Sequence, residues 1–432
     1  MPKVQTWLLV AVLTMLSLAT VYGVQVHADQ ILATETTFGS AATLDSEGNL
    51  IVLGSSLPFS NGQSQAFFFK FVSSLPDSPI SQRSCMRTYG GLTAENGVPL
   101  GTFGYAVATD SLENIYVAGT TQSFGGPNYQ GMENYNMFVQ KYTSSCNLVY
   151  TLQWGGGGDY IPRGMAVDSQ DNVYITGTTS SFSSNGMDQI FLVKYSSDGN
   201  LQFSVTWGGI RNDYGAGVAV DPQGNIWVVG TANSYTSGVA SDVVLLKYDS
   251  NGNLLFQRTW GGQLNSYGTG VAINGAGFIY VTGYTYALGP TPGVSAVILL
   301  QFDQNGNLIL QKTWGGVLDD FGTAIAVDLD GNVYVTGYTK TYSVTPNIPS
   351  AFLLKYDQAG NLLFQRVWGG NRENYAYGLA VDTQENAYVT GYTFSFGPNT
   401  QGANFFILKY DIQGNLQYQK LYGGGALSPT PP

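Results

Sequence analysis

The feature that most constrains this chain is an internal repeat. An aromatic residue followed by two glycines recurs seven times, and the copies are 53 or 54 residues apart except for a first interval of 65. The aromatic residues are Tyr89, Trp154, Trp207, Trp260, Trp314, Trp368 and Tyr422. A sustained period of this length indicates a repeat architecture, in which each copy is one supersecondary unit and neighbouring copies bury a shared core.

Each copy contains four short runs rich in Val, Ile, Tyr, Phe and Leu, which predict β-strands. Asp-x-x-Gly-Asn or a close variant joins the first two runs, as at 221–225, and the last two, as at 303–307. The Asp side chain accepts backbone amide protons and Gly supplies positive φ, so these are hairpin turns. Seven meanders of four antiparallel strands predict an all-β, seven-bladed β-propeller, because a lone four-stranded sheet cannot bury both faces whereas radially packed sheets can.

The repeats also resemble a known family. Residues 207–225 read Trp-Gly-Gly-x-x-x-Asp-Tyr-Gly-x-Gly-Val-Ala-Val-Asp-x-x-Gly-Asn, and residues 334–339 read Tyr-Val-Thr-Gly-Tyr-Thr. These strings are similar to the SBBP-type β-propeller repeat of bacterial and archaeal extracellular proteins, and the resemblance covers residues 41–424. It implies a secreted or surface-exposed propeller, and it offers no catalytic residues to transfer.

The ends of the chain are predicted separately. Residues 1–28 have the features of a signal peptide: a positive start, an apolar run and a small-residue cleavage site. A retained membrane anchor is the alternative, although no membrane span is expected in the mature chain. Residues 29–40 are expected to form a surplus N-terminal strand, which closes the ring or pairs with a neighbouring molecule. Residues 425–432 are predicted to be a Pro-rich C-terminal tail.

The composition argues against several functions. The net charge is -11, and the few Lys and Arg residues are scattered, so nucleic acid is not an expected partner. The only histidine, His27, lies in the predicted signal peptide, so the mature chain has no imidazole for a Ser-His-Asp or Cys-His site. No cofactor and no metal are predicted, since the acidic turn at 328–332 lacks the other ligands of a calcium loop.

Two further residue sets recur in an ordered way. Cys85 and Cys146 fall in the two most irregular copies, and an even count in an exported protein suggests a disulfide, with two separate buried thiols as the alternative. One position of the third strand carries Lys70, Lys141, Lys194, Lys247, Lys355 and Lys409, with Gln301 in the remaining copy. Because the third strand lies far from the axis, these lysines are expected to pair or snorkel at blade edges.

If the strands of each blade are lettered A to D from the axis outward, the B–C loops and the D–A connections share one face. That face carries the variation between copies, and binding residues tend to lie on variable loops. The aromatic residues of the B–C loops are therefore predicted to form a ligand-binding face: Phe124, Tyr129, Tyr135, Phe182, Tyr235, Tyr284, Tyr286, Tyr342, Phe394 and Phe396. Aromatic rings beside short polar groups suit a polysaccharide.

The D–A connections add a polar–aromatic pair near the axis. The pairs are Asp159-Tyr160, Asp213-Tyr214, Ser266-Tyr267, Asp320-Phe321 and Asn374-Tyr375. Because they recur in most copies, a role as wedges between blades is preferred over a binding role. Asp159, Asp213, Asp320 and Glu373 are predicted at the channel mouth, where two carboxylates about 5–9.5 Å apart would permit glycoside hydrolysis.

The sequence thus predicts a secreted or cell-surface β-propeller that is not an enzyme. It would bind a polysaccharide of the envelope, or a surface protein, through its B–C loop face. The alternatives are a secreted carbohydrate-active hydrolase or lyase that uses the mouth acids, and a structural surface-layer component. The hydrolase requires a close carboxylate pair with at least one raised pKa, which a binding module does not need.

Overall fold

The structure, a computed structural model, describes residues 36–57, 64–72, 82–90, 101–122, 135–155, 158–181, 186–235, 240–397 and 402–423. These residues form seven antiparallel sheets, and each sheet is built from four strands that are consecutive in the chain. The prediction of a seven-bladed β-propeller with four strands per blade is confirmed. Within these ranges no helix is long and apolar enough to cross a membrane.

The strands follow one another blade by blade. Blades 1 to 3 contain β1 (Thr36–Leu44), β2 (Leu50–Leu57), β3 (Gln65–Val72), β4 (Gln82–Gly90); β5 (Thr102–Thr109), β6 (Ile115–Thr121), β7 (Asn136–Tyr142), β8 (Leu148–Trp154); and β9 (Tyr160–Val167), β10 (Val173–Thr179), β11 (Gln189–Tyr195), β12 (Leu201–Trp207). Blades 4 and 5 contain β13 (Tyr214–Val220), β14 (Ile226–Ala232), β15 (Asp242–Tyr248), β16 (Leu254–Trp260); and β17 (Ser266–Ile273), β18 (Ile279–Thr285), β19 (Ala296–Phe302), β20 (Leu308–Trp314). Blades 6 and 7 contain β21 (Asp320–Val327), β22 (Val333–Thr339), β23 (Ser350–Tyr356), β24 (Leu362–Trp368); and β25 (Asn374–Val381), β26 (Ala387–Thr393), β27 (Asn404–Tyr410), β28 (Leu416–Tyr422).

The repeated Asp-x-x-Gly-Asn sequence forms the hairpin turns as its residues predict. In blade 4, Asp221 accepts hydrogen bonds from the backbone N–H of Asn225 at 2.8 Å and from its side-chain amide at 2.9 Å. Gly224 supplies the left-handed conformation, with φ of 82°. The short turn fixes the register of strands A and B, so that the same face of each strand meets the neighbouring blade.

The core lies between blades. The B strands are buried along their full length in blades 2, 3 and 4, and each apolar cluster combines strands of two adjacent blades. At the outer rim, the repeated Trp of one blade donates its indole N–H to a Gln of the next blade's D strand. These pairs are Trp207–Gln257, Trp260–Gln311, Trp314–Gln365 and Trp368–Gln419, at 2.9 to 3.1 Å. The repeated Trp therefore joins blades by both packing and hydrogen bonding.

The ring closes where blade 7 meets blade 1. Thr37 of β1 donates its backbone N–H to Ala403 and its hydroxyl to the carbonyl of Tyr422. Strand β1 runs without interruption from Thr36 to Leu44 and is the innermost strand of blade 1. The expected boundary at residue 40 is therefore corrected: residues 36–40 are the first half of this strand rather than a surplus one. Closure results from contacts between blades, because no described sheet borrows a strand from the other end of the chain.

Cys85 on β4 and Cys146 in the C–D turn of blade 2 form a disulfide, with a Cα–Cα distance of 6.5 Å. Cys146 stands where other C–D turns have Gly, and its φ is 63°. In the register of β3 and β4, Cys85 lies opposite Lys70. The equivalent residue of blade 4, opposite Lys247, is Phe256. In most other blade pairs an outer-strand aromatic residue lies next to the turn glycine of the following blade, as Phe203 lies next to Gly252, and the disulfide takes the place of that contact.

Candidate functional site

A cavity of about 630 Å³ opens on the propeller axis, at the face that carries the D–A connections and B–C loops. All seven blades contribute residues to its wall, mainly from the start of strand A and the end of strand B. Its size is that of a typical small-ligand site. The cavity therefore lies on the face that the sequence marks as variable, but closer to the axis than most of the predicted loop residues.

A β-bulge in every A strand shapes this wall. The register of strand A against strand B shifts by one residue at the same place in each blade, for example between Gly268 and Gly270 in blade 5. A bulge leaves one residue without a partner and changes the direction of its side chain. The seven bulged residues are Ser40, Tyr105, Arg163, Ala216, Thr269, Thr323 and Tyr377, and all of them line the cavity.

Sequence reasoning missed this ring, although the sequence contains a signal for it. From blade 3 onward the bulged residue follows the preceding repeated Trp by nine residues, as Arg163 follows Trp154 and Tyr377 follows Trp368. The residue type varies from blade to blade, so no motif marks the position. Only the constant spacing identifies it.

Three of the bulged residues have a structural role. The hydroxyl of Ser40 lies 2.9 Å from the carbonyl oxygen of Gly104 on the next A strand. Thr269 makes the same contact to Gly322, and Thr323 to Ala376. In these blades the bulge joins adjacent A strands by a side-chain hydrogen bond. Tyr105, Arg163, Ala216 and Tyr377 occupy the equivalent place in the other four blades.

An aromatic belt forms one side of the site. Ring centroids 4.8 to 5.2 Å apart connect, in order, Tyr267, Tyr284, Phe321, Tyr338, Tyr375, Tyr392 and Phe38, alternating between A and B strands from blade 5 through blade 7 to blade 1. The belt both fills the space between blades and presents Tyr267, Tyr284 and Tyr392 to the cavity. The predicted wedge role of the D–A aromatics and a role in lining the site are thus compatible.

Burial keeps the phenols of this wall neutral. It raises the pKa of Tyr284 to about 12, with neighbouring Tyr267 and Tyr286 adding to the effect. Burial likewise raises the pKa of Tyr377 to about 12, with a further contribution from Tyr338. Over the physiological pH range these hydroxyls are therefore neutral hydrogen-bonding groups.

The other side of the cavity carries a cation. Arg163 projects from the bulge of β9, and its Cζ lies 5.1 Å from the centroid of the Tyr105 ring. Its side chain is exposed. Within the described part of the chain, Arg163 is the only charged residue of the cavity lining.

The predicted loop aromatics divide into three groups. Phe124, Tyr129 and Phe182 lie outside the described residues. Tyr235, Tyr342 and Phe396 pack on the repeated Trp of the preceding blade's D strand, with ring centroids 4.8 to 5.1 Å apart. The hydroxyls of Tyr235 and Tyr342 also donate to the carbonyls of Gly208 and Gly315. These three rings hold the B–C loops against the blades.

The remaining four predicted aromatics lie nearer the axis. Tyr284 belongs to the belt and lines the cavity. Tyr286 lies 6.1 Å from the Tyr284 ring, and Phe394 lies 5.9 Å from the Tyr392 ring. Tyr135 lies 6.3 Å from Phe103, which also lines the cavity. The predicted face and the cavity therefore meet at Tyr284.

The predicted mouth acids do not line the cavity. Asp213 is fully buried and accepts backbone N–H groups of Gly209, Asn233 and Ser234 at 2.8 to 3.0 Å. Asp320 is equally buried; burial raises its pKa, against the lowering effect of hydrogen bonds from groups such as the Thr339 hydroxyl and the Gly316 N–H. Glu373 is exposed on the loop before β25.

The predicted pairing of Asp159 with Tyr160 is shifted by one residue relative to the other blades. Tyr160 follows Trp154 by six residues, as Asp213 follows Trp207, and Tyr160 is the buried one of the pair, with 2% of its surface exposed. Asp159 instead accepts the backbone N–H of Tyr135 at 2.8 Å. The prediction matched the pairs by residue type and therefore placed Tyr160 with the aromatic residues. Counted from the repeated Trp, Tyr160 occupies the position that is polar in the other blades.

Carboxylates also gather on the opposite face. Oxygens of Asp45, Glu47 and Glu113 lie within 4.8 Å of one another at the A–B turns of blades 1 and 2. Lys70 forms an ion pair with Asp45 at 2.8 Å, so this group already contains a cation of the protein. At the 328–332 turn, Asp328 accepts hydrogen bonds from Asn332 and pairs with Lys355 at 3.5 Å, which is the hairpin geometry of the other turns.

Comparison with known proteins agrees with this architecture. Residues 93–125, 149–182, 206–236, 314–342 and 369–395 match the family model described as SBBP, beta-propeller repeat. An uncharacterized WD repeat-containing protein of Acanthamoeba polyphaga mimivirus is 24% identical over 413 residues, which span 71% of this chain and 29% of that protein. The regulatory protein FlaEY of Caulobacter vibrioides is 31% identical over 112 residues, 23% of this chain and 12% of that protein.

The chain thus spans less than a third of the length of these curated relatives. Among solved structures, puromycin hydrolase is similar with a TM-score of 0.50 and 11% identity, over 90% of this chain and 54% of that one. At this level of identity the likeness concerns the fold alone.

Proposed function

We propose that this chain of SBBP β-propeller repeats is an exported, non-catalytic binding module that takes a carbohydrate into its axial cavity. The observation that carries the proposal is the composition of the cavity wall. The cavity is lined both by aromatic rings such as Tyr267, Tyr284 and Tyr377 and by the hydroxyl-bearing residues Ser55, Thr178 and Thr231. Aromatic faces stack on the apolar faces of sugar rings, and short hydroxyls exchange hydrogen bonds with sugar hydroxyls.

The arrangement of acids favours binding over hydrolysis. A glycosidase places two carboxylates about 5–9.5 Å apart on either side of the scissile bond. In the described residues the cavity lining contains no carboxylate. Asp213 and Asp320 belong to blades 4 and 6, and both are occupied by hydrogen bonds that hold loops. The raised pKa of Asp320 is therefore that of a buried structural carboxyl.

Export is part of the proposal. Residues 1–28, the predicted signal peptide, lie outside the described part of the chain. The disulfide between Cys85 and Cys146 supports an oxidising compartment, since such bonds are rare in the cytosol of most organisms. A polysaccharide of the cell envelope is the ligand we favour, and a surface protein is the alternative that the experiment distinguishes.

The test is co-sedimentation of the mature protein with purified cell envelopes and with a panel of insoluble polysaccharides. The cavity variant is Tyr105→Thr/Tyr377→Thr, which places at both bulges the residue that blades 5 and 6 carry there, at Thr269 and Thr323, and should preserve the fold. The control is Tyr235→Ala, on the same face but outside the cavity.

Saturable binding that the cavity variant loses and the control keeps supports the proposal. Binding to envelopes that survives periodate oxidation of their glycans points to a protein ligand instead. Equal binding by the wild type and the cavity variant would place the site elsewhere on the molecule.

A further inference from the structure

The seven bulges bring seven side chains to one cavity, and only one of them is charged. Ser40, Thr269 and Thr323 join adjacent A strands through their hydroxyls. Arg163 stands in the same structural position on blade 3, where a hydroxyl would serve the fold. The hydrogen bond that these hydroxyls make between A strands needs no positive charge, so the guanidinium of Arg163, which lines the cavity, is not accounted for by that structural role.

The surroundings of Arg163 differ from those of the outer-strand arginines. Arg366 donates to carbonyl oxygens of Gly414 and Gln413 in the next blade at 2.6 and 2.8 Å, and Arg258 donates to that of Gln257 at 2.9 Å. Within the described part of the chain, Arg163 takes part in no ion pair and no hydrogen bond, and its partner is the Tyr105 ring. A guanidinium held over an aromatic face keeps the donors at its edge directed outward.

The wall opposite Arg163 is neutral and aromatic. The belt occupies blades 5, 6, 7 and 1, whereas Arg163 stands on blade 3. A ligand that fills the cavity can therefore stack a ring on the belt and direct an acidic group to Arg163. Carboxylates accept two parallel hydrogen bonds from the guanidinium fork, and such bonds are stronger than those between neutral groups.

We propose that the ligand is an acidic sugar of the hexuronate type, whose carboxylate binds Arg163 while its pyranose ring stacks on the aromatic belt. This inference rests on the proposed carbohydrate-binding function and specifies its ligand class. The net charge of -11 repels polyanions at long range, but that repulsion is screened beyond about 8 Å at physiological salt. Selectivity then comes from the one cation inside the cavity.

The test compares matched ligands that differ only in charge. Isothermal titration calorimetry measures oligogalacturonate against its methyl ester, and oligoalginate against its methyl ester. The variants are Arg163→Gln, which removes the charge, Arg163→Lys, which keeps the charge without the fork, and Arg163→Thr, which restores the residue of blades 5 and 6. Arg372→Gln, an exposed arginine of the same face that lies outside the cavity lining, is the control.

We expect the wild type and the control to bind at least one acid at least 10-fold more tightly than its ester. Arg163→Gln and Arg163→Thr should bind acid and ester equally, at the affinity of the wild type for the ester, and Arg163→Lys should lie between. Equal wild-type affinity for acids and esters overturns the hexuronate assignment, and an acid preference that survives in Arg163→Gln overturns the role of Arg163 in it. Both outcomes leave the binding-module proposal standing. Absence of binding to any acid, ester or neutral polysaccharide overturns both.

Discussion

The buried lysines of the C strands allow a test of how charge is accommodated between blades, because one blade of the same chain carries a neutral residue at the lysine position. In blade 2, Lys141 lies 3.5 Å from Asp110 of the A–B turn, and the two side chains are 11% and 1% exposed. Lys141 also donates to the carbonyl of Ser197 in blade 3 at 2.9 Å and lies 5.1 Å from the centroid of the Tyr116 ring. One ammonium thus joins a turn, an aromatic ring and the neighbouring blade.

Blade 5 replaces the whole group with neutral residues. Gln301 stands at the lysine position and Asn274 at the aspartate position, and Phe278 replaces the asparagine that donates to the aspartate in other blades. Gln301 donates to the Tyr280 hydroxyl at 3.2 Å. The charged and the neutral groups are therefore two complete solutions to one packing problem, within one molecule.

The prediction is that a partial exchange is costly and a complete one is tolerated. Lys141→Gln leaves the Asp110 carboxylate buried without its counter-charge, and removal of one partner of a buried pair costs about 3–5 kcal/mol. The triple variant Asp110→Asn/Asn114→Phe/Lys141→Gln transplants the blade 5 group and removes that charge. We expect its unfolding free energy to equal or exceed that of the wild type, because replacing a buried ion pair by well-packed neutral residues is often neutral or stabilising.

Urea unfolding followed by tryptophan fluorescence at pH 7 measures the unfolding free energy of both variants. The converse variant Gln301→Lys should be destabilised, because it buries an ammonium group without a counter-charge. The loss in Lys141→Gln should persist in high salt, since a buried pair is poorly screened. A triple variant as unstable as Lys141→Gln, or a Lys141→Gln protein as stable as the wild type, would refute the charge argument.

Two further predictions concern the disulfide and the tyrosines. The unfolding free energy of Cys85→Ser/Cys146→Ser in urea should be lower than that of the wild type by up to about 4 kcal/mol, because the disulfide closes a loop with a sequence separation of 61 residues. Cys85→Phe/Cys146→Gly should recover part of that loss, because other blades use this pair. Equal unfolding midpoints for all three proteins would contradict this. Burial raises the pKa of Tyr284 and Tyr377 from 10.0 to about 12, so their contribution to stability is complete below pH 10 and is lost as the pH rises through 12. Absorbance at 295 nm and unfolding free energy should therefore change together in that window, and full ionisation of a folded protein at pH 10 would disprove the burial argument.

The fold was predictable because its determinants are local and repeated. Asp221 and Gly224 specify a hairpin by their own hydrogen bonds and backbone freedom, and the same pair of residue types recurs in most blades. The variable face was predictable for the same reason, since the constant face consists of such turns. What remained hidden was how far each loop side chain reaches: Tyr235 and Tyr342 are polar and aromatic like ligand-binding residues, yet they pack on tryptophans that are distant in sequence.

The cavity could not be predicted from residue types because a bulge is a property of pairing between strands. Gly268 and Gly270 flank the bulge of blade 5, but many glycines in this chain have other roles, and the bulged residue itself is Ser, Thr, Tyr, Arg or Ala. The shift of one residue at Tyr160 was hidden for a similar reason: the equivalent position is buried in the other blades too, but there it holds a polar side chain such as Asp213 or Asp320. Counting from the repeated Trp recovers both positions.

Because the seven blades share one fold, equivalent positions can be compared between blades. That comparison distinguishes residues that the fold requires from residues that are free to serve a function. Positions that keep one chemistry in nearly every blade, such as the turn Asp and the outer Trp, have contacts that account for them. The bulge position keeps its geometry but not its chemistry, and in three blades its hydroxyl has a structural contact. Because the seven A strands converge on the axis, variation at this position changes one shared cavity rather than seven separate surfaces. Arg163 is the one charged residue in the described lining of that cavity, whereas the hairpin turns and the Trp contacts that build the blades keep the same chemistry around the ring.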